Sequence, residues 1–415
     1  MILALLFFVV SLKVYKKTTP NGKVTVYLGK RDFIDHCDGN VDPVEGVVHV
    51  EKDYLKGRKI YGQLITTYRY GREEDEVMGV KFSKVLPLQV AQIVPPEQEK
   101  TQITKLQQRL LDKLGGSAYP FLFKFPSNAP SSVVIQSGEA NDKSKPLGVE
   151  YRVRTYVGDS LDDPGHKRST VSLAIKKQQF APIVRLDRLP SALASKSFTF
   201  SQGRVTMEIT LSKEVYYHGE SVSASLVVTN NSRKTVKNLK LYVMQHVEMT
   251  MVSMQLVNIV ASLETREGCP ITPGHSFSKE FLLTPLASSN VDKRGIALDG
   301  YLKDDDVNLA SSTINSVGKG APDSMGVIVG YTVRGKLGFG TLGGELVADV
   351  PLKLVHRELT APSKAPKDNK AAKTGLQRVR SIERAHYEDT FYAPDEEENI
   401  EFEDFARTRM SEAEE

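Results

Sequence analysis

The chain has 415 residues, 40% of them hydrophobic and 26% charged, the balance of a soluble globular protein with material for at least two ordinary cores. Its two cysteines, Cys37 and Cys269, lie far apart and in no metal-binding spacing, which argues against a disulfide framework and fits a reducing cytosol. The formal charge of +4 conceals a division: residues 388–415 carry 12 acidic and 2 basic side chains, leaving 53 basic and 39 acidic in residues 1–387, a net of +14. A basic body with an acidic tail suggests anionic partners and a tail that competes with them by folding back.

Residues 1–10 (MILALLFFVV) are too short to span a bilayer. They lack the basic leading region and small-residue cleavage site of a signal peptide, and read as a first strand with an extra apolar leader over 1–8. Alternating segments follow at 11–16 (SLKVYK) and 23–28 (KVTVYL), separated by a Pro20-Asn21-Gly22 turn. Further strand patterns occupy 149–156, 205–211, 222–228, 239–243 and 326–333. Turn residues at short intervals between them imply an all-β chain of two antiparallel β-sandwich domains. One amphipathic helix is expected over 102–114, with Ile103, Leu106, Leu110, Leu111 and Leu114 on one face and Gly115-Gly116 as its stop. The first sandwich is assigned to 9–182, a hinge to 183–196 and the second sandwich to 197–357. A flexible basic linker covers 358–387, and the acidic tail 388–415. Within that tail, 402–409 (FEDFARTR) places two aromatics and two arginines among acids. Apolar residues in a segment with no core of its own imply a partner.

Catalytic motifs are weak. Residues 338–343 (GFGTLG) match a dinucleotide-binding spacing, but 345–354 (ELVADVPLKL) alternate like a strand where the pyrophosphate needs a helix N-terminus. The run Asp304-Asp305-Asp306 lacks the glycine and final glutamate of an EF-hand loop and reads as a solvated acidic loop. The eight histidines form no HExxH pair, and there is no GxSxG elbow. No cofactor or metal is expected, and neither is an enzyme.

Several stretches together resemble the arrestin family: 26–32 (VYLGKRD), 70–82 (YGREEDEVMGVKF), 214–220 (EVYYHGE), 295–300 (GIALDG), 306–313 (DVNLASST) and 402–407 (FEDFAR). In overall character they are similar to the insect visual arrestins, and the resemblance runs from about residue 9 to the C-terminus. It implies two antiparallel β-sandwiches with the C-tail docked on the first, and a cytoplasmic protein recruited to the plasma membrane. The implied task is to bind light-activated rhodopsin, a G-protein-coupled receptor, block G-protein coupling and support internalisation. A non-visual arrestin serving other receptors, or a trafficking adaptor of the same fold, is the alternative.

The resemblance also assigns residues. Lys16 and Lys17, with Lys30 and Arg31, would meet receptor phosphates, whereas read alone they are solvated strand lysines. Asp32, Asp299 and Asp306 would form a buried ionic latch with Arg407 of the tail. Vertebrate relatives carry an arginine at the position of Ser172, so Arg407 becomes the one matched cation for three acids and phosphate sensing through the latch should be weak. Val77, Met78, Gly79 and Val80 would tip a receptor-probing finger loop. Arg233, Lys234, Lys237 and Lys240 would bind inositol phospholipids. Phe402, Phe405 and Arg409, at the spacing of one helix face, would bind the β-adaptin of the clathrin adaptor. Ser381, in the basophilic pattern RVRS, would be a phosphorylation site.

Overall fold

The computed structural model describes residues 12–36, 40–72, 76, 81–96, 103–126, 128–137, 146–181, 188–199, 201–300, 302, 307–314, 326–340, 343–357 and 400–404. The first half comprises β1 (Leu12–Thr18), β2 (Val24–Leu28), β3 (Asp32–Asp35), β4 (Val44–Val50), β5 (Lys59–Arg69) and β6 (Ser83–Val94). Helix α1 (Lys105–Leu114) follows, then β7 (Ala118–Phe123), β8 (Val133–Ile135), β9 (Leu147–Gly158) and β10 (Thr170–Ala181). The second half runs through β11 (Ser191–Phe198), β12 (Ser201–Leu211), β13 (Val215–Tyr217), β14 (Val222–Asn230), β15 (Asn238–Met249), β16 (Met254–Thr265) and β17 (Ser276–Leu283). It ends with β18 (Ala297–Asp299), β19 (Val327–Gly338) and β20 (Glu345–Arg357), and the tail supplies β21 (Ile400–Asp404).

Period-two alternation sets the layers. In β2, Val24, Val26 and Leu28 point inward, and in β14 Val222, Ala224, Leu226 and Val228 do the same. In the first sandwich the order β21-β1-β2-β4-β7 faces β10-β9-β5-β6; in the second, β11-β12-β14-β17 faces β16-β15-β19-β20. One contiguous core runs through both halves. The larger sheet passes from one sandwich to the other through a short parallel pairing, Phe180 with His356 and Ala181 with Arg357.

The strand segments expected from the sequence are present, most of them longer at their ends. The sheets are not wholly antiparallel: β1–β21, β3–β10, β10–β20 and β13–β20 pair in parallel. Short turns reveal only antiparallel neighbours, whereas parallel pairs join segments distant along the chain. The helix begins at Lys105 rather than at 102. Thr104 caps it, its hydroxyl accepting from the Gln107 N–H while the Gln107 side chain accepts from the Thr104 N–H. Ile103 therefore lies outside the helix and is exposed. Gln107 also donates to the Gly46 and Phe121 carbonyls, at 3.1 and 2.8 Å, and so fastens the helix to β4 and β7. The Gly115 N–H closes the last turn on the Leu111 carbonyl, as the glycine stop predicts.

Of the residues singled out above, Met1–Phe8, Cys37, Val77, Met78, Gly79, Val80, Asp304, Asp305, Asp306, Ser381, Phe405, Arg407 and Arg409 lie outside the described residues. The glycine-rich stretch sits between β19 and β20, so a strand follows it and no helix N-terminus is available to a phosphate.

Candidate functional site

The tail strand lies along the edge of β1, in register from Leu12 with Ile400 to Lys16 with Asp404. Behind it, Val14, Val47 and Leu110 form a separate small core that also takes in Leu106, Leu111, Tyr27, Ile400 and Phe402. Helix α1 is thus the backing on which the tail rests. Phe402 meets Tyr27 edge-on with ring centroids 5.3 Å apart, and the Lys113 ammonium sits 4.8 Å from the Phe402 ring centre. Lys113 also donates to the Ile400 carbonyl at 3.1 Å. Two ion pairs border the contact, Lys13 with Glu403 and Lys16 with Asp404 at 3.4 Å. The Asp404 side chain is 87% exposed, so that pair is screened and contributes at most about 1 kcal/mol. Ladder hydrogen bonds and the Phe402 ring hold the tail; the charges set its register and invite competition from another anion. Phe405 and Arg409, which would share a helix face with Phe402 on an adaptor, lie outside the described residues, and Phe402 itself lies on a strand here. The reason is the free edge of β1, which satisfies the tail's backbone as a ladder.

The basic residues of this surface are already engaged. Lys17 Nζ crosses to β10 and donates to the Ser172 carbonyl at 2.8 Å. Lys30 pairs with Asp42 at 2.7 Å, and the Arg31 guanidinium lies 5.5 Å from the Tyr15 ring centre. Burial pushes the Asp42 carboxyl up, but Lys30, the Ile34 N–H and His36 outweigh it and hold the group below its ordinary range.

Of the three acids of the expected latch, Asp32 and Asp299 are described, and the two do not share one environment. Asp32, at the start of β3, is 46% exposed and lies 3.4 Å from Lys176 of β10. It is a rim residue rather than a buried one. Asp299, at the end of β18, is buried and sits between two imidazoles. His356 Nε2 of β20 is 2.6 Å from Asp299 Oδ2, and His218 Nε2, just beyond β13, is 3.5 Å from the same oxygen. The Ser311 N–H donates to Asp299 Oδ1 at 2.9 Å. Burial pushes the Asp299 carboxyl up; the hydrogen bond and charge of His356, with His218 and the Ser311 N–H, more than offset it and lower it overall. Burial pushes the His218 imidazole down to about 4 against the upward pull of Asp299, so it is neutral at pH 7.

Among the described residues Lys176 faces Asp32, and His218 and His356 face Asp299; Asp306 and Arg407, the other members of the expected latch, lie outside them. Sequence spacing could not have found the two histidines, because His218, Asp299 and His356 stand on three separate segments that the β13–β20 pairing and β18 bring together. The faint signal was His218 inside the EVYYHGE stretch. A second missed element is the buried pair of Lys177 with Asp35 at 2.6 Å; the lysine also donates to the Ala129 carbonyl.

Elsewhere, the base of the expected finger loop is closed between β5 and β6. The Tyr70 N–H donates to the Phe82 carbonyl at 2.9 Å, and the Phe82 N–H to Glu76. On the second sandwich Arg233, Lys234 and Lys237 are exposed, while Lys240 pairs with Glu264 at 2.8 Å. No helix of the described residues is long and apolar enough to cross a membrane.

Comparison with known proteins agrees with this architecture. The family model described as "Arrestin (or S-antigen), N-terminal domain" matches residues 24–181, and that of the C-terminal domain matches 201–359. An arrestin homolog of Locusta migratoria is 60% identical over 407 residues, 98% of each chain. Phosrestin-1 of Drosophila melanogaster is 57% identical over 97% of this chain and 98% of its own. The lateral-eye arrestin of Limulus polyphemus is 48% identical over 98% of this chain and 97% of its own. Two matched domains, near-complete coverage and a tail strand docked on the first sandwich lead to one conclusion: this chain belongs to the arrestin family.

Proposed function

We propose that this arrestin is of the visual type. It binds light-activated rhodopsin at its cytoplasmic face, blocks G-protein coupling and supports internalisation. It works by contact rather than by catalysis. The observation that carries the reading is the docked tail, whose acids Glu403 and Asp404 stand on Lys13 and Lys16 of β1. An anionic receptor segment reaching the same edge competes with the tail for the same lysines and the same backbone groups. The likeness to a phosrestin and to a lateral-eye arrestin supports an opsin as the receptor.

In this reading Lys16, Lys17, Lys30 and Arg31 receive phosphate, and Val77, Met78 and Val80 enter the active receptor. Release of the tail frees Phe402, which with Phe405 and Arg409 then engages β-adaptin. The exposed Arg233, Lys234 and Lys237 meet inositol phospholipids at the membrane surface, with Lys240 beside them. Phosphate on Ser381 adds negative charge to the basic linker. Ser172 cannot serve as a phosphate-sensitive cation, so binding follows receptor activation more than receptor phosphorylation.

Sedimentation with rhodopsin membranes tests this. The protein should pellet in light and stay in the supernatant in the dark, and it should still pellet with receptor lacking its phosphorylation sites. Equal pelleting in light and dark refutes rhodopsin recognition. Complete loss with unphosphorylated receptor refutes the role given to Ser172.

A further inference from the structure

We propose that His218, Asp299 and His356 form a binding site for one divalent cation of the zinc class. The proposal rests on the geometry of this cluster and is independent of which receptor the protein serves. The three donor atoms lie within 4.8 Å of one another. Two imidazoles and one carboxylate suit zinc, whereas calcium and magnesium favour all-oxygen shells. Tetrahedral zinc with bonds of about 2.0–2.1 Å separates its ligands by about 3.3 Å. The two separations from Asp299 Oδ2, 2.6 Å to His356 and 3.5 Å to His218, bracket that value. Ser311 Oγ lies 2.9 Å from His218 Nε2 and 3.4 Å from Asp299 Oδ2, in position to be the fourth ligand or to hold a water there.

The positions are fixed before any ion arrives. β13, which leads into His218, pairs with the stretch of β20 that leads into His356, and the Asp299 N–H is bonded to the Asn308 carbonyl. Charge supplies the reason for an ion. Among the described residues, Asp299 is met by imidazoles and by Ser311, not by a lysine or arginine. Burial penalises the charge on this carboxylate, and a dication bound beside it would offset that cost. The neutral His218 offers a lone pair without losing a proton. His356 Nε2 now faces the Asp299 oxygen as a donor, and its proton would leave to solvent on binding. The bound ion would join β18 to β13 and β20, and so hold the segment around Asp299 against the second sandwich.

The test uses the full-length protein, dialysed against chelator and titrated with zinc chloride by calorimetry. Cobalt chloride in a parallel sample is followed by visible absorption. One stoichiometric zinc site is expected, weakened at least tenfold by His218→Gln or His356→Gln and unchanged by His275→Gln at an exposed position. Cobalt should give the intense band of a tetrahedral site. Absence of a saturable one-to-one site overturns the proposal, as does equal affinity in the His218 and His356 variants. Should those variants fail to fold, a cobalt spectrum of the unaltered protein without the tetrahedral band overturns it equally.

Discussion

Two buried carboxylates in this molecule are held in opposite ways. Asp35 is given a full cation, Lys177, whose side chain is 1% exposed and whose remaining donor capacity goes in part to a backbone carbonyl. Asp299 is given two imidazoles and a serine. The first arrangement is a fixed tie between β3 and β10, because separating two oppositely charged groups in the interior is costly. The second is conditional, because an imidazole changes charge, tautomer or ligand at modest cost. The docked tail is looser again: a five-residue ladder, one aromatic contact and exposed ion pairs. The contacts grade from fixed to releasable, and the releasable end is where an anionic partner would compete under the proposed function.

The comparison breaks first at Lys177. Lys177→Met removes the buried cation that faces Asp35 and should lower stability by about 3–5 kcal/mol in urea denaturation. Lys177→Met combined with Asp35→Leu should recover most of that loss. A single-variant cost near zero would mean the pair is not a fixed tie. Next, His356→Ala in chelator-treated protein should cost about 1.5–3 kcal/mol by the same measurement, since it removes one hydrogen bond to a charged group while His218 and Ser311 remain. A larger loss than that of Lys177→Met would reverse the ranking.

At the tail, Phe402→Ala should weaken docking by about 1–2 kcal/mol, which is roughly tenfold more undocked molecules. Faster amide exchange along β1, with unchanged exchange in β12 and β14, would report it; unchanged exchange in β1 would show that the ring does not hold the strand. The smallest effect concerns Asp42. Its folded pKa is lowered, so its contribution to stability is fully present above the ordinary carboxylate range and is lost as pH falls through the folded value. Lys30→Ala removes the main lowering partner. The Asp42 carboxyl should then titrate at higher pH by NMR, and a carboxyl that does not move would exclude Lys30 as that partner.

Much of the fold was legible. The alternation of β2 and β14, the amphipathic face of α1 and the glycine stop after it are local signals, because each depends only on neighbours along the chain. The start of α1 was missed by three residues because the Thr104–Gln107 capping box outranked the apolar Ile103. The candidate site was legible only in part. Lys16 and Phe402 were named from the resemblance. Their meeting along one strand edge required the pairing of β1 with β21.

The sequence alone determined the all-β class, the lone helix, the division into a basic body and an acidic tail, and membership of a family that works by binding. The tertiary structure alone decided which charges meet. It placed Lys17 against Ser172, Lys177 against Asp35, and two histidines against Asp299. Periodicity tells which way a side chain faces within its own strand, whereas a buried charge is satisfied by whatever a distant strand brings to it, and that partner carries no mark in the local pattern.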